Sequence, residues 1–346
     1  MIGEKLKNKK IIFFSVQTFN LENEIISKMR QLGAIVEYYD ERPSNNNFTK
    51  GIIRLKRDFY KYKINSYYNK ILEISKNRYY DYLFVNRGEV IPGYFLEKFK
   101  LNHPNCIFIF YTWDSFTNHN HPTTILKYFD RKFTFDPEDA KKYNINFRPL
   151  FYLDSFKNCI DKEEIITPYE VLFIGTAHSD RYKISNKIIE WCSDNGINSY
   201  TYYYMHSKIV FLYKSLFDNT FKKIDYKKLN FKSLKVSEIV KLYKKSNVIL
   251  DINHPGQKGL TMRTFETIGS NKKMITTNTE IKRYYFYNPN NIYVIDRESK
   301  IPLTIDFFKN DYEPISLDLY NRLSIEGWLK CLFFNNESDI WIKDVK

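Results

Sequence analysis

The sequence lacks several features that would assign it to a common class of protein. No run of about 18 apolar residues is present, so no segment is expected to span a membrane. The basic N-terminus leads into an apolar run that is too short for a signal peptide, and no small-residue cleavage site follows it. We therefore expect a cytoplasmic globular protein, and peripheral attachment to the inner face of a membrane stays open.

Cysteine is scarce and is not arranged as a metal or redox site. The four cysteines form no CxxC pair and have no metal-ligand spacing; they are Cys106, Cys159, Cys192 and Cys331. Cys106 lies in an apolar run, as a buried core thiol does. This usage agrees with a reducing cytoplasm.

Motifs of other chemistries are missing too. No GxGxxG follows the first predicted strand, which argues against a dinucleotide oxidoreductase. GxxxxGK[ST], HExxH and GxSxG are absent as well. No Asp-x-Asp pair follows a predicted strand, so we expect no bound metal and no cofactor.

The charge that is present is strongly basic. The formal net charge is +14, which suggests nucleic acid, a phospholipid surface or phosphorylated substrates as partners. Lysine is densest from Lys208 to Lys245, where eleven Lys stand against three acidic residues. This stretch is either a solvated face or a surface for anionic membranes.

Short apolar segments alternate with segments of helical spacing, such as 21–32 and 68–78, along both halves of the chain. The predicted strands are apolar at successive residues, which is typical of parallel strands covered on both faces. They lie at 11–17, 34–40, 82–86, 106–112, 131–135 and 147–152, and then at 171–175, 198–204, 247–252, 273–277 and 291–295. The alternation predicts an α/β protein.

We expect two Rossmann-like domains that face a cleft. Residues 1–155 form the first, and a polar linker ending at Pro168 leads to the second at 168–315. The segment 316–346, with one last helix at about 316–334, closes the fold. Ligands of open α/β sheets bind beyond the carboxyl ends of the strands, which is where site residues are expected.

The strongest local signal is the strand, loop and helix at 247–271. The helix should begin near Thr261, which can cap its first turn, and end near Gly269 to Asn271. The free N–H groups of that first turn and the helix dipole form a phosphate site. The alternative is an ordinary strand–loop–helix.

Side chains on this segment fit a bound nucleotide. Lys258 and Arg263 supply positive charge, and Glu266 lies one turn beyond Arg263 on the same helix face. Glycines let the backbone approach an anion closely. The donor-side candidates here are His254, Gly256, Lys258, Gly259, Thr261, Arg263 and Glu266. An exposed Arg–Glu pair is the alternative.

A second signal follows the strand at 171–175. Gly175 and Thr176 could lie under a diphosphate that Arg181 neutralises. His178 lies between them and is either a ligand contact or a structural histidine.

Two strand ends in the first half are polar. Arg87 and Glu89 follow one, and Trp113 and Asp114 follow the other, within the segment 111–121. A carboxylate at Asp114 could take the proton from an acceptor hydroxyl, as could the histidines that follow it. Otherwise Asp114 caps the next helix and Trp113 packs.

The segment LDINHPGQKGLTMRTFETIGSNKKMITTN (250–278) is similar to GT-B glycosyltransferases of bacterial lipopolysaccharide-core and capsule synthesis. The more distant CgeB-like group shares the Arg-x-Phe-Glu pattern, here Arg263 to Glu266. The resemblance covers nearly the whole chain, and YTWDS with the later FDPEDAKKY resembles the acceptor-side half. It implies donor binding in the second domain, acceptor binding in the first, and no metal.

One position departs from that family. Many of its retaining members carry two glutamates separated by seven residues, of which the second holds the ribose. Glu266 matches the second, whereas the first falls on Lys258. The departure favours an inverting reaction with a base, Asp114, from the first domain.

The sequence thus predicts a hexosyl- or deoxyhexosyltransferase acting on a lipopolysaccharide, capsule or other cell-surface glycan acceptor. One alternative is a basic nucleic-acid-binding protein, but no recognised RNA or DNA module appears, and we expect no nucleic acid partner. The other is a GT-B-shaped nucleotide-sugar epimerase.

Overall fold

The computed structural model describes residues 2–44, 60–157, 159, 169–177, 180–298, 303–334 and 341–343. The chain divides into two compact units. The first holds the described residues up to Pro149 together with the helix Ile325–Phe334. The second holds those from Leu150 to Ser324 together with 341–343.

A parallel six-stranded sheet forms the centre of the first unit, in the order β2-β1-β3-β4-β5-β6. Its strands are β1 Lys10–Ser15, β2 Ile35–Asp40, β3 Tyr82–Asn86, β4 Ile107–Thr112, β5 Arg131–Thr134 and β6 Asn146–Phe147. Its helices are α1 Ile2–Leu6, α2 Leu21–Gln31, α3 Lys61–Ser75, α4 Gly93–Asn102, α5 Pro137–Tyr143 and α14 Ile325–Phe334. Every residue of β3 is buried, as its unbroken apolar run predicts.

The second unit is built on another parallel six-stranded sheet, in the order β12-β11-β10-β7-β8-β9. Its strands are β7 Tyr169–Thr176, β8 Ser199–Tyr204, β9 Leu229–Asn230, β10 Ser246–Asp251, β11 Lys273–Thr276 and β12 Ile292–Val294. Its helices are α6 Asp154–Lys157, α7 Arg181–Asp194, α8 Lys208–Phe217, α9 Asn219–Lys222, α10 Val236–Lys244, α11 Met262–Gly269, α12 Ile305–Lys309 and α13 Leu317–Arg322. The expected α/β fold with two Rossmann-like sheets is confirmed.

Two local predictions were wrong, and one short strand was missed. The strand expected at 147–152 pairs only at Asn146–Phe147, because Pro149 has no N–H to continue the ladder. The short strand β9 was not expected. The single helix expected at 316–334 is two helices that meet at Leu323 and Ser324, where Tyr152 donates its backbone N–H to the Leu323 carbonyl.

The polar segment expected as a linker begins with a helical turn, α6, in which Phe156 is buried. Except for Cys159, its residues from 158 to 168 lie outside the described residues. All four cysteines are buried free thiols, which confirms Cys106 as a core residue. None of the helices in the described ranges has the length and apolar character needed to cross a membrane.

Candidate functional site

The order of the second sheet determines where a ligand can bind. The chain runs from β7 outward to β8 and β9, and then returns to β10 on the other side of β7. This reversal is the topological switch point of a Rossmann sheet, and the crevice beyond the carboxyl ends of the two strands is its usual ligand site. Thr176 ends β7 and Asp251 ends β10.

Asp251 organises the loop and helix that follow β10. Its buried carboxylate accepts hydrogen bonds from the Thr261 hydroxyl at 2.9 and 3.0 Å and from the Thr264 hydroxyl at 2.7 Å. Thr261 is the N-cap of α11, as predicted, and accepts from the Thr264 backbone N–H. A strand-end carboxylate therefore fixes the first turn of α11 beside the switch point.

Two arginines at the switch point keep unused hydrogen-bond donors. Arg181, at the start of α7, donates from Nη1 to the Thr176 hydroxyl at 2.8 Å. Its Nε, like Nη1 of Arg263, is buried and has no hydrogen-bond partner in the described part of the chain. Burial and the like charges of Arg263 and Arg297 lower the pKa of Arg181, while Asp251 opposes this. Such a cluster has the charge and the free donors that an anion could bind.

A third arginine, Arg297, lies in the segment that follows β12. Its guanidinium contacts Asp180 Oδ2 at 2.6 Å and donates to the Asn253 carbonyl at 2.6 Å and to Asn253 Oδ1 at 2.5 Å. Asn253 is buried and also accepts from the Thr277 hydroxyl at 2.7 Å. Arg297 thereby joins the start of α7 to the loop after β10. Sequence reasoning missed it, although it follows a predicted strand closely.

Glu266 lies deeper along α11, near Arg263, Asp251 and Tyr243. Burial raises the pKa of Glu266, and the charge of Asp251 adds to the rise while Arg263 opposes it. The buried Tyr243 hydroxyl lies beside the Glu266 carboxylate and also opposes the rise in its pKa. Burial still favours the protonated form, and hydrogen bonds from the hydroxyl groups of a ligand could stabilise the charged carboxylate.

The other predicted donor-side residues vary in position. Gly175 precedes Thr176 at the end of β7, where a Cβ would come within 2.7 Å of the Phe173 ring. Gly259 is buried at the back of the loop.

His254 and Gly256 are exposed, and the His254 ring accepts from the Gly256 N–H at 3.4 Å. The Lys258 side chain is 58% exposed, and its ammonium group lies 3.7 Å from Glu280 Oε1. These residues form the exposed part of the loop between β10 and α11. His178 lies outside the described residues.

Three of the predicted acceptor-side residues of the first unit, Arg87, Glu89 and Asp114, share an ionic network. Arg87 Nε lies 2.8 Å from Asp114 Oδ2, and Arg87 Nη1 lies 3.7 Å from Glu89. Arg42, which the sequence did not indicate, pairs with Glu89 at 2.5 Å. Arg87 also donates to His119 Nε2 at 2.7 Å, so that nitrogen carries no proton.

The backbone at Arg87 is strained. Its φ is +98°, a conformation that costs on the order of 1–3 kcal/mol in a residue with a side chain. The turn directs the N–H groups of Gly88, Glu89 and Val90 at the buried carboxylate of Glu41. Burial, together with the charge of Glu89, raises the pKa of Glu41 to about 8, although these donors oppose it.

Asn86, the last residue of β3, ends at the switch point of the first sheet between β1 and β3. Its side chain is fully buried, and neither its amide nitrogen nor its oxygen has a partner in the described ranges. Trp113 is partly buried near this end of the sheet. His121 donates from Nε2 to the Ile91 carbonyl at 2.9 Å and is a structural residue.

The described residues contain no group of three or more His, Cys, Asp or Glu side chains arranged to hold a metal ion. Arginines are present among the charged groups at both switch points. They suit anionic or hydroxyl-bearing ligands.

No protein-family model and no curated protein sequence matches the chain. Solved structures do. An alpha-glucosyltransferase in complex with UDP and a 13-mer DNA aligns with TM-score 0.59 and 12% identity over 93% of this chain and 94% of that chain. A glycosyltransferase from Rickettsia africae ESF-5 aligns with TM-score 0.56 and 13% identity over 94% and 99%.

A putative UDP-N-acetylglucosamine 2-epimerase from Listeria monocytogenes aligns with TM-score 0.52 and 10% identity over 95% of this chain and 98% of that chain. At such low identity the agreement concerns the fold. The chain has the GT-B fold, on which nucleotide-sugar glycosyltransferases and nucleotide-sugar epimerases are both built.

Proposed function

We propose that this protein is a glycosyltransferase that binds a nucleoside diphosphate sugar in its second unit and transfers the sugar to an acceptor hydroxyl. UDP is the first nucleotide to test, because the solved alpha-glucosyltransferase with the same fold was in complex with UDP. The acceptor is a cell-surface glycan or its lipid-linked precursor, of the lipopolysaccharide or capsule type.

The observation that carries this proposal is the pair of unused arginine donors at the second switch point. Arg181 Nε and Arg263 Nη1 are buried without hydrogen-bond partners among the described residues. A buried donor without a partner costs about 1–3 kcal/mol, so a ligand that accepts hydrogen bonds from these two donors gains binding energy. Phosphate oxygens, which accept strongly and carry charge, suit two guanidinium groups at a helix N-terminus.

The buried donor-side residues fall into three groups by their role in this proposal. Arg263 and Arg181 bind the diphosphate, on which negative charge grows as the bond from sugar C1 to phosphate oxygen breaks. Glu266 accepts hydrogen bonds from the ribose hydroxyls. Arg297 and Asp251 position the start of α7 and the start of α11.

The first unit supplies the acceptor side. The Asp114 side chain is 31% exposed and forms an ion pair with Arg87 through Oδ2. Its other carboxylate oxygen, Oδ1, has no ion pair among the described residues. That oxygen takes the proton of the acceptor hydroxyl as the hydroxyl oxygen attacks C1. The nucleoside diphosphate leaves from the opposite face, so the reaction inverts the anomeric centre. The unpaired Asn86 amide is suited to orienting acceptor hydroxyls.

Binding of UDP by calorimetry is the direct test. We expect wild type to bind UDP, and Arg263→Ala and Arg181→Ala to weaken binding about tenfold or more, since a charge-assisted hydrogen bond contributes about 1.5–3 kcal/mol. Arg283→Ala is the matched control, because Arg283 is in the same unit but pairs with Glu280 at 2.8 Å. Equal affinity of all three variants would refute the site.

A second candidate is nucleotide-sugar 2-epimerisation, which the Listeria monocytogenes neighbour favours. The two activities differ in their need for an acceptor. An epimerase converts UDP-N-acetylglucosamine to its 2-epimer with no second substrate, which proton NMR detects. We expect no such conversion, and its appearance would replace transfer by epimerisation.

A further inference from the structure

Helix α8 directs its most apolar face outward. Five large side chains lie 3, 4, 7 and 8 positions from the first, which places them on one helix face. Together they form what we call the apolar stripe: Ile209, Leu212, Tyr213, Leu216 and Phe217. Their side chains are 58–78% exposed. A contiguous exposed apolar surface of this kind is typical of a site that contacts another protein or a membrane.

The opposite face of α8 attaches the helix to the second unit. Phe211 is the buried residue of the helix, and its ring packs near those of Tyr226 and Phe221, at 5.6 and 6.4 Å between centroids. The apolar stripe is therefore not the face with which α8 packs on the core, because Phe211 fills that role. The helix is anchored on one side and carries free apolar surface on the other.

Lysines border the stripe on both sides. Lys208 lies near the ring of Phe231 and Lys214 near that of Phe221, at 5.6 and 4.8 Å from the ring centroids. Both ammonium groups are on exposed side chains, and α8 contains no Asp or Glu. Exposed Lys222 and Lys223 follow on and after α9.

An exposed apolar stripe between lysines is the pattern of a helix that lies in the plane of a membrane surface. We propose that α8 docks on an anionic lipid membrane, with the apolar stripe among the acyl chains and the bordering lysines at the lipid phosphates. The proposal goes beyond sugar transfer and uses none of the donor-site residues.

A second copy of the chain fits this face less well. A twofold interface places the same surface on both partners, so the lysines of one copy would face the lysines of the other. Like charges brought together oppose association. An anionic lipid surface offers the complementary charge.

Vesicle co-sedimentation tests the proposal with the full chain. We expect binding to vesicles of phosphatidylcholine containing about one-third phosphatidylglycerol, and about tenfold or greater loss of binding when salt rises from about 0.05 to 0.5 M, because salt screens surface charge. Pure phosphatidylcholine vesicles should bind much less. Absence of binding to the anionic vesicles at low salt would overturn the proposal.

Paired variants locate the surface. Leu212→Gln with Leu216→Gln should reduce vesicle binding about tenfold or more, whereas Leu317→Gln, at an equally exposed leucine of the same unit, should not. Lys208→Gln with Lys214→Gln should weaken binding and flatten its salt dependence. Lys98→Gln with Lys127→Gln, two exposed lysines of the first unit, is the charge control.

Two further results distinguish a membrane from a second copy of the chain as the partner of the apolar stripe. Retained vesicle binding by the leucine pair would remove the stripe from the contact. Dimerisation of wild type in sedimentation experiments, lost in the same pair, would assign the stripe to a second copy instead. UDP affinity should be unchanged in all these variants, so loss of vesicle binding and loss of the nucleotide site are separable.

Discussion

Replacing Glu266 by Gln should weaken nucleotide binding while stabilising the ligand-free protein. Burial and the nearby charge of Asp251 raise the pKa of the Glu266 carboxyl group, although Arg263 and the Tyr243 hydroxyl oppose the rise. The group is therefore costly to the folded protein until a ligand supplies donors. Gln keeps an oxygen acceptor and the shape of the side chain, and removes the charge.

The loss of affinity follows from the strength of two hydrogen bonds. A hydrogen bond to a charged acceptor contributes about 1.5–3 kcal/mol, and one to a neutral acceptor about 1 kcal/mol. Two ribose hydroxyls on Gln instead of carboxylate lose about 2 kcal/mol together. Since about 1.4 kcal/mol is tenfold, we expect UDP to bind about 30-fold more weakly. With a donor sugar, KM should rise more than kcat falls.

Stability should change in the opposite direction and with a defined pH dependence. Because the pKa of Glu266 is higher in the folded than in the unfolded chain, the folded state holds the proton more tightly. Its contribution to the free energy of unfolding is present at acid pH and falls as pH rises above about 4.5 and through the folded-state pKa. Gln does not titrate, so the variant should melt above wild type at neutral pH.

Calorimetry with UDP and thermal melts between acid and neutral pH measure the two effects. Glu190→Gln is the control, because Glu190 is exposed on α7 of the same unit; neither quantity should change. Wild-type affinity in Glu266→Gln, with UDP binding of the parent established, would remove Glu266 from the site. A lower melting temperature at neutral pH would refute the conclusion that the charged form of Glu266 destabilises the ligand-free protein.

Three other outcomes are expected. Gly269→Ala should destabilise the second unit by about 1–3 kcal/mol, because the added Cβ would lie 2.5 Å from the Tyr152 ring. Gly256→Ala is the control, since its Cβ would meet open space. Equal urea midpoints of unfolding for the two variants would contradict the close packing at Gly269. Burial raises the pKa of Glu41 from 4.5 to about 8, so the free energy of unfolding should fall as pH rises through this window. Glu41→Gln should flatten that slope in denaturant titrations at pH values across the window, and an unchanged slope would exclude Glu41 as its source. UDP binding and sugar transfer should survive excess EDTA, and loss restored by magnesium or manganese would show that a metal neutralises the diphosphate.

Much of the fold could be predicted because its signals are local. A fully buried parallel strand must be apolar on both faces, which is why YLFVN was recognisable as β3. Thr261 was predictable as a cap because a cap bonds to a backbone group three residues away. The same reasoning failed at 147–152, where apolar composition outweighed the missing N–H of Pro149.

The candidate site could be predicted only in part, because its contacts join distant segments. Arg297 forms an ion pair with Asp180, which lies 117 positions earlier in the chain. The pair depends on β12 and β7 belonging to one sheet in a particular strand order. Asp251 was predicted only as part of a strand. No local pattern indicates that a carboxylate at a strand end will accept hydrogen bonds from two threonine hydroxyls. The strained φ of Arg87 likewise has no signature in the sequence.

The sequence by itself determined the two α/β halves, the helix start at Thr261 and the basic charge of the chain, because each depends on composition or on spacing within a few residues. Only the tertiary structure decided which arginines lie at the switch point and which donors remain unused. It also decided the orientation of α8, whose apolar spacing alone would predict a core-facing side. Packing selects one helix face for burial, and Phe211 rather than the apolar stripe meets the core of the second unit.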